Sequence, residues 1–282
     1  VDEPPVTPSA SNLGATPEAV PRDPPDPRPA HAPAWSLEWL RARTPARVFV
    51  GRAGSAYRTE ALLDLRRDHA AALDAVHLEL EIARDLGPAL TETFGLFEIR
   101  TKARSKAEYL MRPDLGRSFD ESAVPVLSAR GTSGADLQVA IADGLSARAV
   151  AVQVPPLLPL LEAGARARGW RFGQVFVVRH GRVGILNEIG EFLKPVVAVL
   201  LIGERPGLAT AESLSAYMAF RPCAGHTDAQ RNLVSNIHAH GLPPDIAAGR
   251  ILDLASAMIA AQASGVALQE PGIPSDPPIT LA

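Results

Sequence analysis

Aromatic residues are scarce, at 5% of 282 residues, so any core must be mainly aliphatic. A single cysteine, Cys223, excludes an internal disulfide framework and any multi-cysteine zinc or iron–sulfur site. It fits a reducing compartment. No apolar run approaches the roughly 20 residues that cross a bilayer. The longest extends from Val196 to Ile202. The N-terminus lacks the basic–apolar–small layout of a signal peptide, and it begins with Val rather than Met, as a processed or trimmed chain would. There is no large charge excess either: 28 Lys+Arg stand against 31 Asp+Glu, a net of −3. That deficit lies in residues 1–34, where Asp2, Glu3, Glu18, Asp23 and Asp26 outnumber Arg22 and Arg28. The neutral body lacks the basic footprint of a nucleic-acid binder. Neither nucleic acid nor a membrane is therefore expected as a partner.

What the chain does have is 46% hydrophobic residues over a length that supports one or two domains. Residues 1–34 hold ten prolines, from Pro4 to Pro33. Proline removes a backbone donor and fixes φ, so this segment is expected to be a disordered or polyproline-like tail. The alternative is an extension that folds on a partner. Residues 269–282 form a second proline-rich tail, with Pro271, Pro274, Pro277 and Pro278.

Between the tails, residues 35–107 are expected to form a helical N-terminal section. Trp35, Trp39 and Leu40 share one face of a short helix that Pro45 ends. Leu62, Leu63, Leu65, His69, Leu73 and Val76 recur at helical spacing over 59–76, with Thr59 as the cap. A further helical stretch over 78–93 is broken by Gly87-Pro88, and 94–101 alternates weakly, as a strand or a continuation into the next turn would. Residues 108–268 have a different pattern. Apolar runs at 137–142, 175–178, 196–202 and 214–220 alternate with helical segments at 157–168, 185–193 and 246–264. Pro155-Pro156 is expected to open the first of these helices. The alternation predicts an α/β fold, a mainly parallel Rossmann-like sheet with helices on both faces. Ligands of such sheets bind beyond the carboxyl ends of the strands.

The common cradles are absent. There is no G-x-G-x-x-G, no G-x-x-x-x-G-K-[ST], no G-x-S-x-G and no H-E-x-x-H. His238 and His240 offer two nitrogens, fewer than a metal usually takes. Three loops at strand ends carry the polar residues. Asp143-Gly144-Leu145-Ser146 reads as a helix cap through Asp143 or Ser146. Arg179-His180-Gly181-Arg182-Val183-Gly184 combines glycines for close approach with two arginines that could meet anions. In Gly203-Glu204-Arg205-Pro206-Gly207, the charged pair is either a ligand site or an internal ion pair. Ser235-Asn236-Ile237-His238 could join the same rim. Arg112 and Arg117 suit an interface or internal ion pairs.

In order along residues 45–268, eight segments resemble the small subunit (light chain) of ethanolamine ammonia-lyase. They are Gly51-Arg52-Ala53-Gly54 with Arg58-Thr59, Arg112-Pro113-Asp114-Leu115-Gly116-Arg117, Ala142-Asp143-Gly144-Leu145-Ser146 and Gly181-Arg182-Val183. They continue with Asn187-Glu188-Ile189-Gly190-Glu191, Ile202-Gly203-Glu204-Arg205-Pro206-Gly207, Glu212-Ser213-Leu214-Ser215 and Ser235-Asn236-Ile237-His238. The resemblance implies a helical section followed by a Rossmann-like, cobalamin-contacting domain. It implies an adenosylcobalamin-dependent radical enzyme that converts ethanolamine to acetaldehyde and ammonia. In that family the large subunit, a β/α barrel, holds the substrate, while the small subunit covers part of the corrin in a higher hetero-oligomer. The enzyme is cytoplasmic, and an N-terminal tail can direct it into a bacterial microcompartment. Here the tail is proline-rich rather than an amphipathic helix.

By the same resemblance, Val183, Glu204 and Leu233 are cofactor-contact positions, and this chain carries no catalytic or metal-ligating residue. Leu233 replaces a cysteine, so a sulfur contact is lost while bulk is kept. His180 stands where tyrosine is usual, and Ala209 and His240 where glycine is usual. The D-x-H-x-x-G cobalamin motif is absent, so no histidine is assigned as lower cobalt ligand. Two other classes compete. One is an assembly subunit without cofactor contact, as Leu233 and His180 suggest. The other is a free-standing small-ligand module, which the lack of a glycine-rich phosphate loop disfavours.

Overall fold

The computed structural model describes residues 36–44 and 46–268. Both proline-rich tails, together with Trp35 and Pro45, lie outside the described residues. The N-terminal section contains α1 (Leu37–Arg41), a two-residue hairpin of β1 (Arg52–Ala53) and β2 (Ala56–Tyr57), α2 (Thr59–His77) and α3 (Pro88–Thr93). Ser36 caps α1, its Oγ accepting from the Trp39 amide at 3.0 Å. Arg58, not Thr59, occupies the N-cap of α2 and offers no side-chain bond. The helical stretch over 78–93 breaks where expected, at Gly87-Pro88, with Gly87 at a φ of +78°; before the break it is only a single π turn (Ile82–Leu86), and α3 follows.

The sheet begins at β3 (Glu98–Arg100), upstream of residue 108, where the α/β domain was expected to start. Next come α4 (Lys106–Met111) and α5 (Ala123–Arg130), two short helices that the apolar spacing did not reveal. Then follow β4 (Leu137–Ala142), α6 (Ala147–Ala167), β5 (Phe176–Arg179), α7 (Ile185–Leu193), β6 (Val197–Gly203), β7 (Leu214–Phe220), β8 (Asn232–Ile237) and α8 (Pro244–Ala261). The spatial order is β3-β5-β4-β6-β7-β8. The first four strands are mutually parallel, and β7 and β8 add antiparallel pairs. The fold is therefore α/β, mainly parallel at its centre.

Its central strands are apolar on both sides because both faces are covered: every residue of β4 and β6 is buried. On one face Val139, Ile141, Val199 and Leu201 pack against α6 and α8. On the other, Ala140, Phe176, Leu200 and Ile202 pack with Leu127 of α5 and Ile185 and Ile189 of α7. β4 and β5 are neighbours, yet the chain leaves them toward opposite faces, into α6 and α7. Diverging connections of this kind open a crevice at the carboxyl ends of a sheet.

Helix α6 corrects the expectation that Pro155-Pro156 opens it. It starts eight residues before Pro155, at Ala147, and carries Pro155, Pro156 and Pro159 inside. Ser146 starts it by accepting from the Ala149 amide at 3.1 Å, while its hydroxyl donates to the Ala211 carbonyl at 2.6 Å. Burial of Val150, Val154, Leu157, Leu158 and Leu161 offsets the missing backbone bonds.

Candidate functional site

The loops after β4, β5 and β6 meet at the crevice. The first and third touch backbone to backbone, with the Leu145 amide donating to the Gly203 carbonyl at 3.0 Å. Gly144 has a φ of +57°, and a Cβ on Gly203 would sit 2.0 Å from the Ser146 carbonyl oxygen, so neither position accepts a side chain. Two adjoining cavities, of about 390 and 840 Å³, open beside this contact and share Arg182, Val183, Tyr217 and Leu233 in their walls. Val183 comes from the turn before α7, Glu204 follows β6, and Leu233 lies on β8 opposite Tyr217. The three positions singled out from the sequence thus surround one opening. Leu233 is 46% exposed there, in a strand that sequence periodicity did not identify.

Glu204 is held by the strands behind it. Ser213 Oγ donates to Oε2 at 2.7 Å, Ser215 Oγ to Oε1 at 2.5 Å, and the Asn236 amide to Oε1 at 3.0 Å. Asn236 can present that amide because it adopts a φ of +61°, which asparagine tolerates better than most residues. Glu204 and Arg205 therefore do not form an ion pair. Arg205 is exposed on the rim of the smaller cavity, with no carboxylate partner among the described residues.

Beneath the smaller cavity lies a buried polar layer that sequence reasoning missed. Lys106 of α4 reaches the Asp143 carboxylate at 3.4 Å and the Gly144 carbonyl at 2.9 Å. Such a pair holds geometry more reliably than it adds stability. It makes Asp143 an anchor for α4, while Ser146 alone caps α6. Tyr109 stacks on His180 with ring centroids 5.8 Å apart and donates to the Gly181 carbonyl at 3.2 Å. Burial, then the Asp143 charge, pushes the Tyr109 phenol up; burial, then Asp228 and Glu204, does the same for Tyr217. Both remain neutral and protonated. No spacing rule could have paired Lys106 with Asp143, since they lie 37 residues apart.

The arginines divide. Arg179, expected to meet an anion, instead forms a fork with Glu98 at 2.8 and 2.7 Å and reaches Glu79 at 3.2 Å. Arg231, whose side chain is 7% exposed, pairs with Asp228 at 2.5 Å and donates to Asn187 Oδ1 at 2.9 Å. Arg112 pairs with Asp114 at the surface. Arg117 and Arg182 have no carboxylate partner among the described residues and line the larger cavity. His238 and His240 are tied into a turn, with the His240 amide donating to His238 Nδ1 at 3.2 Å. Among the described residues, no group of three or more His, Cys, Asp or Glu could hold a metal, and no helix is long and apolar enough to cross a membrane.

Comparison with known proteins adds to this geometry. The family described as ethanolamine ammonia-lyase light chain (EutC) matches residues 34–269. The ethanolamine ammonia-lyase small subunit of Listeria monocytogenes serovar 1/2a is 40% identical over 230 residues, which span 82% of this chain and 76% of that protein. The small subunit of Listeria innocua serovar 6a shows the same identity and coverage.

Proposed function

This chain belongs to the ethanolamine ammonia-lyase light-chain family, and from that premise we propose that it closes over the corrin of adenosylcobalamin at the joint with a large barrel subunit. The complex would convert ethanolamine to acetaldehyde and ammonia, as a cytoplasmic hetero-oligomer of the two subunits. The observation that carries this reading is the open crevice at the strand ends, with Val183, Glu204 and Leu233 around it.

The residues present fit such a ligand. A carboxylate offers about four acceptor sites, and three protein donors reach Glu204, which leaves room for an amide N–H from the corrin edge. Val183 and Leu233 supply aliphatic walls. The neutral phenols of Tyr109 and Tyr217 suit binding rather than proton abstraction. When bound, the cofactor supplies the radical that starts the reaction. This chain's residues hold the cofactor, keep its orientation and exclude water from one side. Substrate chemistry then falls to the large subunit, so the isolated chain should be inactive.

The test mixes the purified chain with a cognate large subunit, adenosylcobalamin and ethanolamine, and follows acetaldehyde. Activity is expected only with both chains present. Turnover by the isolated chain, or a complex that forms yet never turns over, would reject the reading. The second of these outcomes would point to the assembly subunit that Leu233 and His180 suggest.

A further inference from the structure

We propose that Arg182, supported by Arg117, forms an anion-binding pair in this crevice, and that it takes the phosphodiester in the nucleotide tail of a cobalamin. The proposal rests on the cofactor reading above and extends it to a group and to residues that the resemblance leaves unassigned.

Arg182 stands where the two cavities join and lines both. It is fixed before any ligand arrives. Its main-chain amide donates to the Gly116 carbonyl at 2.8 Å, and Nη2 donates to the Tyr109 carbonyl at 3.1 Å. Its guanidinium lies 4.1 Å from the centre of the Tyr109 ring. Little rotamer freedom remains to be lost on binding.

Yet this anchored cation is not neutralised. It has no carboxylate partner among the described residues, and its Nε is buried without a hydrogen-bond partner. A half-buried charge with no counter-ion is costly, and the cost is recovered when an anion docks against it. Neither carboxylate of the larger cavity pairs with Arg182 or Arg117. Asp228 is paired with Arg231, and Glu188 accepts from the Phe119 amide. Arg117, whose stem lies against Gly184 at the start of α7, is the second unpaired cation in that wall. A cobalamin is rimmed by neutral amides and carries one formal anion in its tail, the phosphodiester. The ligand's negative charge and the unpaired positive charges of the crevice are therefore complementary.

The test is a binding cycle on the complete complex of this chain with its large subunit, read by equilibrium dialysis using the ligand's own visible absorbance. Three ligands separate the groups: cobalamin, cobinamide, which lacks the whole nucleotide tail, and cobinamide phosphate, which restores the anion without the base. Arg182→Met keeps length and removes charge. It should weaken cobalamin and cobinamide phosphate by about 10- to 100-fold and cobinamide by less than about twofold. Arg117→Met, at an exposed position, should show the same pattern with a smaller loss. Equal losses for all three ligands, or none for any, would overturn the proposal. If Arg182→Met does not assemble, the Arg117→Met result decides, together with a salt titration of the unaltered complex. Cobalamin affinity that falls with salt no faster than cobinamide affinity would overturn the proposal. An unaltered complex that binds no cobalamin at all would reject the cofactor reading itself, and this proposal with it.

Discussion

At the scale of single residues, the site shows how one side chain can be identified correctly while its surroundings stay hidden. Glu204 stands out in the sequence because a charged pair directly follows the most apolar strand. The pairing with Arg205, however, does not form. Ser213, Ser215 and the Asn236 amide take the carboxylate instead, across strands that the sequence does not align. Arg179 differs in the same way: it was one of two arginines in its loop that could meet an anion, and Glu98, 81 residues away, takes its guanidinium. Burial works against the Glu98 charge, but Arg179, then Arg100, prevail and hold the carboxyl below its ordinary value. The folded state thus binds that proton less readily than the unfolded chain. The contribution is present above about pH 4.5 and is lost as pH falls through the lowered value. Glu98→Gln should therefore be less stable than the unaltered chain at pH 6, and the gap should narrow toward pH 3. Urea unfolding across that range checks it, and a gap that stays constant would show that the pair does not contribute in this way.

At the scale of elements, length and burial override local punctuation. The periodicity located α7, β4 and β7 because each is bounded by glycine or polar turns and is strongly apolar. It misplaced the start of α6 because proline normally marks a first turn. In α6 the prolines instead lie within a helix clamped between the sheet and α8, where lost hydrogen bonds are outweighed by burial. Pro159 is exposed and contributes little to that burial. Pro159→Ala should restore one backbone bond and raise stability by about 1–3 kcal/mol, read as a higher midpoint in thermal or denaturant unfolding. A neutral or lower midpoint would mean that the helix is shaped around that proline. The missed strand β8 has the opposite cause. Its mixed burial and a register shift beside Leu214 and Ala216 leave no clean alternation to recognise.

At the scale of the whole molecule, the apolar surface is unevenly placed. Half of the exposed large hydrophobic side chains among the described residues lie between Leu37 and Leu78. Leu62, Leu63 and Leu73, whose spacing marked α2 as a helix, are 40–58% exposed, and only Ala72 and Ala75 of that helix are buried. Exposed apolar clusters of this kind mark contact surfaces. On the light-chain reading, mixing with the large subunit should lower the fluorescence of an apolar-surface dye and slow amide exchange along α2. A complex that forms while α2 exchanges as before would place the contact elsewhere.

Local residue pattern alone determined the alternation of strands and helices, the buried centre of the sheet and the loops worth inspecting. Those features depend on side-chain periodicity and turn chemistry, which act over a few residues. Family membership was also legible, because eight short segments kept their order. Tertiary structure decided which charges are spent and which remain free. Arg179 and Arg231 are neutralised, Glu204 is shared by three donors, and Arg117 and Arg182 are left unpaired beside one opening. Such outcomes depend on contacts between residues tens of positions apart, whose distances only the folded chain sets.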